Sequence, residues 1–170
     1  MRILLSFAAA FGCIAVVIGG AVLLLRDPVD PHAYPGNSSG FTFAEAQEQS
    51  AVTLPACAQE TAKYYKGPTF ADGVVVMDFT APDDCVAEFL GGVGIDGSTP
   101  VVQWKPMFEE SSPPISPPAN SGIEWNFSRD DRVEYWRVER RRGVNEQAVT
   151  VVVNRSAQPQ HVYIESYPSN

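Results

Sequence analysis

The sequence predicts a small α+β domain held behind an N-terminal transmembrane helix. Three observations predict it. Residues 3–25 are an apolar run closed by Arg2 and Arg26. Residues 82–91 carry apolar side chains at helical spacing. Two strand-like runs precede that helix and three follow it, giving the order strand-strand-helix-strand-strand-strand, with one helix packed on an antiparallel sheet.

Ile3 to Leu25 is broken only by Ser6 and a few glycines. As a helix it reaches roughly 35 Å, enough to cross a hydrocarbon core of ~30 Å. A cleaved signal has a shorter apolar core and ends in a small-x-small site. The best such site, Gly19-Gly20-Ala21, runs on into Val22-Leu23-Leu24-Leu25, so an uncleaved anchor is the reading. Cys13 invites a lipoprotein reading, but Phe11 stands where a small residue is required, and Cys13 reads as an apolar residue within the span. Arg2 and Arg26 balance, and the N-terminal amine tips the short end inward. The expectation is a single-pass cell-membrane protein, N-terminus cytoplasmic and C-terminal domain extracytoplasmic.

Only Arg2 and Arg26 of the 12 Lys and Arg lie before residue 27, whereas all 20 Asp and Glu lie from Asp27 onward, so residues 27–170 carry a net charge of −10. That field excludes nucleic acid and close contact with anionic lipid. Three prolines and Gly36-Asn37-Ser38-Ser39-Gly40 mark 27–53 as a Pro/Gly/Ser-rich linker between the anchor, 1–26, and the domain, 54–170. Within the linker, Phe41–Ser50 reads as a helical turn or two. Cys57 and Cys85 are the two cysteines outside the span, and an even pair in an exported domain predicts a disulfide.

Ala62–Lys66 and Gly73–Thr80 are the first two strands, the second opened by the Asp72-Gly73 turn signal. In the helix, Val86, Phe89, Leu90 and Val93 form one apolar stripe. Thr80 is the expected cap, with Asp83 three residues on, and Gly91, Gly92 and Gly94 stop the helix. Pro100–Phe108 reads as a short extended piece, and Pro113 to Pro118 as a stiff loop with polyproline II character. Arg132–Arg140, Gln147–Asn154 and His161–Tyr167 form a three-stranded meander.

No catalytic, cofactor-binding or metal-binding motif is present: GxSxG, HExxH, P-loop, GxGxxG and the EF-hand loop are all missing from the sequence. Asp83-Asp84 is explained by a helix N-terminus and Asp130-Asp131 by a turn. His161 reads as a core or edge histidine rather than a base. Arg140, Arg141 and Arg142 at a hairpin tip are the candidate binding residues, suited to an acidic partner or a carboxylated wall polymer. Trp104, Trp125, Phe127, Tyr135 and Trp136 read as core. Three glycosylation sequons, at Asn37, Asn126 and Asn154, matter only in a eukaryotic secretory pathway.

The run Phe70-Ala71-Asp72-Gly73, then Asp78-Phe79-Thr80-Ala81-Pro82 and Phe89-Leu90-Gly91, behind one span and a Pro-rich linker, resembles a loose group of uncharacterised single-pass membrane-anchored exported proteins of actinobacteria. The resemblance implies a bacterial envelope setting and brings no activity with it. The expected function is a membrane-anchored extracytoplasmic binding or accessory module, with an envelope protein or wall polymer as partner. A small-ligand sensor or carrier, and an envelope enzyme with an unrecognised site, are the alternatives. Aromatics that line a cavity instead of a core favour the sensor.

Overall fold

A computed structural model describes residues 30–37, 40–67, 73–104, 114–118, 121–128, 131–142 and 145–168. The expected anchor lies outside them. Among the described residues no helix is long and apolar enough to cross a membrane.

The domain is α+β, as its alternating patterns predict. Six antiparallel strands form one sheet: β1 Lys63–Lys66, β2 Val75–Ala81, β3 Val102–Trp104, β4 Val133–Arg142, β5 Asn145–Asn154 and β6 Gln160–Pro168, in the order β1-β2-β6-β5-β4-β3. The expected meander is β4-β5-β6, with Val138 opposite Val149 and Val151 opposite Ile164. β2 docks on β6, Met77 opposite Ile164 and Phe79 opposite Val162. β2 and β5 are buried on both faces, which is why they read as nearly unbroken apolar runs.

Three helices lie among the described residues: α1 Phe43–Ser50, α2 Ala56–Gln59 and α3 Asp83–Gly92. The larger core joins Val86 and Phe89 of α3 to Val75, Met77, Phe79, Val149, Val151, Val162 and Ile164 of the sheet. Phe89 meets Phe79 edge-on, with ring centroids 5.2 Å apart. Cys57 of α2 is disulfide-bonded to Cys85 of α3. The opposite sheet face, which carries Val152 and Tyr163, is covered by Ile115, Ile123, Trp125 and Phe127 from segments without regular structure.

The strand and helix order is corrected in part. It names five strands and one helix, whereas the described residues hold six strands and three helices: α1 falls on the helical turn or two read at Phe41–Ser50 and β3 on the extended piece read at Pro100–Phe108, and α2 is new. β3 is only three residues long and partly exposed, so no alternation marks it. α2 is a single turn without periodicity. The expected cap at Thr80 is absent: Pro82 is the N-cap of α3 and makes no side-chain cap bond. β2 runs on to Ala81 and takes Thr80 into the ladder opposite His161. Thr80 instead exchanges bonds with the Thr61 hydroxyl, which donates to its carbonyl at 2.7 Å and accepts from its N–H at 3.1 Å.

The described part of the Pro/Gly/Ser-rich stretch packs on the domain. Thr42 and Glu45 form a capping box on α1, and the carboxylate of Asp30 accepts from the Phe43 N–H at 2.7 Å. Ala33 bridges Tyr64 of β1 in parallel, so residues 32–34 close that edge of the sheet. The rings of His32 and Phe43 stack at 4.5 Å, and Phe43 lies 5.9 Å from Tyr64. Composition registers the prolines and glycines of this stretch, whereas the aromatics between them decide its packing.

Candidate functional site

A cleft of about 500 Å³ opens between the C-terminal half of α3 and the end of the sheet that carries β4. Its local origin is the stop of α3. Val93 is the C-cap and Gly94 takes the left-handed conformation at φ 78°. The Ile95 N–H donates to the Leu90 carbonyl at 2.8 Å and the Gly94 N–H to the Gly91 carbonyl at 3.0 Å. These are the two bonds of a Schellman motif, and they bring Ile95 back beside Leu90. Both side chains line the cleft, with Trp136 of β4.

The polar wall has two parts. Asp96 closes the loop after the motif, and its Oδ1 accepts from the N–H and hydroxyl groups of both Ser98 and Thr99 at 2.6–3.2 Å. The bonds from Ser98, then those from Thr99, hold the Asp96 carboxyl below the usual carboxylate range. Across the cleft, Arg155 Nε donates to Glu134 Oε2 at 2.9 Å, and its Nη1 donates to Gln160 Oε1 at 2.5 Å. Gln160 donates onward to Asp83 at 2.7 Å, which ties the wall to the first turn of α3. Gln103 donates to the other Glu134 oxygen at 3.1 Å. An apolar floor with a few placed charges is the usual make-up of a small-ligand site.

A second cavity of about 270 Å³, between Leu54, Pro55, Glu88 and Phe89, is walled by Arg140. The Arg140 guanidinium donates to the Gly92 carbonyl at 3.4 Å, at the negative end of α3. Arg141 and Arg142 continue β4 opposite Glu146 and Asn145. Their side chains, with Asp130, lie outside the described residues. Asp83 and Asp84 accept from Gln160 and from the Cys85 N–H, and Asp131 accepts from the Ser128 N–H and Asn154. Among the described residues no three His, Cys, Asp or Glu side chains converge as a ligand set for a metal. Asn154, the amide of one sequon, is 8 % exposed and bonded at both ends of its side chain, so it is no glycosylation acceptor in the fold.

On the other sheet face, Asp78 accepts from the Tyr34 hydroxyl through Oδ1 and lies 2.8 Å from His161 Nε2 through Oδ2. The His161 ring stacks on Tyr163 at 4.1 Å. Burial, then the bond to and charge of Asp78, raise the Tyr34 hydroxyl well above its ordinary range, and burial beside Asp78 and Asp131 pushes Tyr163 up to about 12. This is a hydrogen-bonded network around a half-buried histidine on an interior strand, paired with β2 and β5, and His161 lines neither cavity described here. The signal for it was Asp78 inside the apolar run Val74–Phe79, because a buried carboxylate requires partners. The aromatics divide between faces: Trp104, Trp125, Phe127 and Tyr135 pack around Tyr163 and Val152, and Trp136 faces α3 and the cleft.

No known protein family, characterised protein or solved structure matches the chain.

Proposed function

We propose that the chain is a membrane-tethered, extracytoplasmic binding module of the cell envelope, and that the cleft beside Trp136 holds a small ligand. The observation that carries the ligand is the position of Trp136: it lines an open cleft in the ligand-size range as well as packing on the core. Two features support the address. The apolar run 3–25 is long enough to span. The Cys57–Cys85 disulfide persists in an oxidising compartment. Of the expected alternatives, the sensor or carrier agrees best with an aromatic in a cavity wall.

The test is topology and capture in intact cells. An impermeant maleimide labels Cys57 and Cys85 after, and only after, external reduction if the domain lies outside. Labelling only in lysed cells overturns the address. Ligand capture is read by photo-cross-linking from the cleft rim, with the anchor alone as control. Capture no greater than that of the control overturns the binding role.

A further inference from the structure

We propose that the cleft takes a small amphipathic ammonium compound, an amine borne on an apolar ring or chain. The inference rests on the cleft being the binding site. Leu90, Ile95 and Trp136 supply the apolar floor, and an indole face also attracts a cation. The wall holds three charges, on Asp96, Glu134 and Arg155. Arg155 is already matched by Glu134 at 2.9 Å and by Gln160 at 2.5 Å. Asp96 is not matched by any cation among the described residues. All its described hydrogen bonds converge on Oδ1, leaving Oδ2 as an open acceptor.

Among the described residues the cleft therefore carries one carboxylate unmatched by a cation, in a segment whose net charge is −10. That field draws in cations and repels carboxylates and phosphates. Asp96 stands exposed at the cleft rim, where a neutral apolar ligand makes no use of its charge. An ammonium on an apolar body meets both demands: its body lies on Trp136, and its N–H groups reach Asp96 and the remaining lone pairs of Glu134.

The test uses the full chain, with 15N-labelled tryptophan, in nanodiscs of neutral lipid. Phenethylamine, 2-phenylethanol and phenylacetate share a ring and differ in charge. The readout is the indole N–H resonance of Trp136, identified by its loss in Trp136→Phe. Phenethylamine is expected to shift that resonance saturably and to bind about tenfold more tightly than either analogue. Asp96→Asn, which keeps an acceptor oxygen for Ser98 and Thr99, is expected to abolish the preference, and Glu134→Gln to weaken it. Equal or tighter binding of phenylacetate or 2-phenylethanol overturns the ligand class and leaves the cleft standing as a site. No saturable shift with any of the three overturns both. A preference that survives in Asp96→Asn, with the rest of the spectrum unchanged, overturns the role of Asp96.

Discussion

His161 and Asp78 meet diagonally across the β2–β6 ladder, Nε2 2.8 Å from Oδ2, while the other oxygen of Asp78 accepts from Tyr34. One carboxylate, 6 % exposed, thus joins β2 and β6 to the segment that precedes α1. Backbone bonds add to that attachment, the Tyr34 N–H to the Tyr64 carbonyl and the Tyr64 N–H to the His32 carbonyl, both 2.9 Å, as do side-chain bonds, Lys63 Nζ to the Pro31 carbonyl at 2.7 Å and the Lys66 N–H to Asn37 Oδ1 at 2.8 Å.

Removing the Tyr34 hydroxyl therefore loosens the segment without opening the sheet. Tyr34→Phe is expected to cost about 1–2 kcal/mol, the worth of a bond to a charged group. Asp78→Ala leaves both Tyr34 and His161 without their acceptor and is expected to cost more, about 3 kcal/mol. Urea melts give both values. Hydrogen exchange at the Tyr64 amide is expected to quicken in Tyr34→Phe, while exchange at Val151, in the sheet centre, stays unchanged at the same fraction folded. An unchanged Tyr64 amide would mean that the remaining bonds hold the segment without Tyr34.

Cys57 and Cys85 are separated by 28 residues, and the bond between them ties the single-turn α2 to the first turn of α3. In the chain-entropy model such a loop closure stabilises the fold by about 3.5 kcal/mol. The double variant Cys57→Ser, Cys85→Ser is expected to lose that amount in denaturant melts, and added reductant to destabilise the native chain alone. A native chain indifferent to reductant would show that the packing of α2 on β2 suffices.

The central strands were legible because β2 and β5 are largely runs of Val, Met and Phe buried on both faces, and β6 alternates Val162 and Ile164 with other residues. Helix α3 was legible from Val86, Phe89, Leu90 and Val93, all 8 % exposed or less. Its start was misread because capping patterns are local, and Thr80 belongs to a ladder with a strand 80 residues away in sequence. The Thr42–Glu45 capping box was visible as Thr-x-x-Glu, but it stands in a stretch whose composition signals slack. The cleft was not legible. Leu90, Asp96, Trp136 and Arg155 meet only once β4 crosses the end of α3, and no spacing along the chain encodes that meeting.

Gly94 tests the link between the helix stop and the cleft. Its φ of 78° is one that a side chain adopts only with strain, although the space around an added Cβ is open, with the nearest atom, on Arg140, 3.9 Å away. Gly94→Ala is expected to cost about 1 kcal/mol through backbone strain rather than a clash. Gly97→Ala, in the same loop with open space and no such φ, is expected to be near neutral. Equal effects in thermal melts would remove the Schellman geometry as the cause. If the strain shifts Ile95, the Trp136 indole N–H resonance moves in Gly94→Ala and stays in place in Gly97→Ala.

Glu165 sets the last expectation, on pH. It lies on the sheet face away from α3, 8 % exposed, and accepts from the Tyr167 hydroxyl at 2.6 Å. Burial raises its carboxyl above the ordinary range, and the Tyr167 bond and the charge of Arg137 only partly offset that. A group whose folded pKa is raised binds its proton more tightly in the native than in the unfolded chain, so its contribution is greatest below the unfolded value, near 4.3, and is lost as pH rises through the folded value. At neutral pH the ionised side chain therefore opposes folding. Glu165→Gln keeps an acceptor for Tyr167 and removes the buried charge, so it is expected to raise Tm at pH 7. The gain should shrink towards zero as pH falls below about 4, where the unfolded chain also holds the proton. A Glu165→Gln variant less stable than the parent at pH 7 would mean that Arg137 and Tyr167 outweigh burial, and the sign of the pH dependence would then reverse.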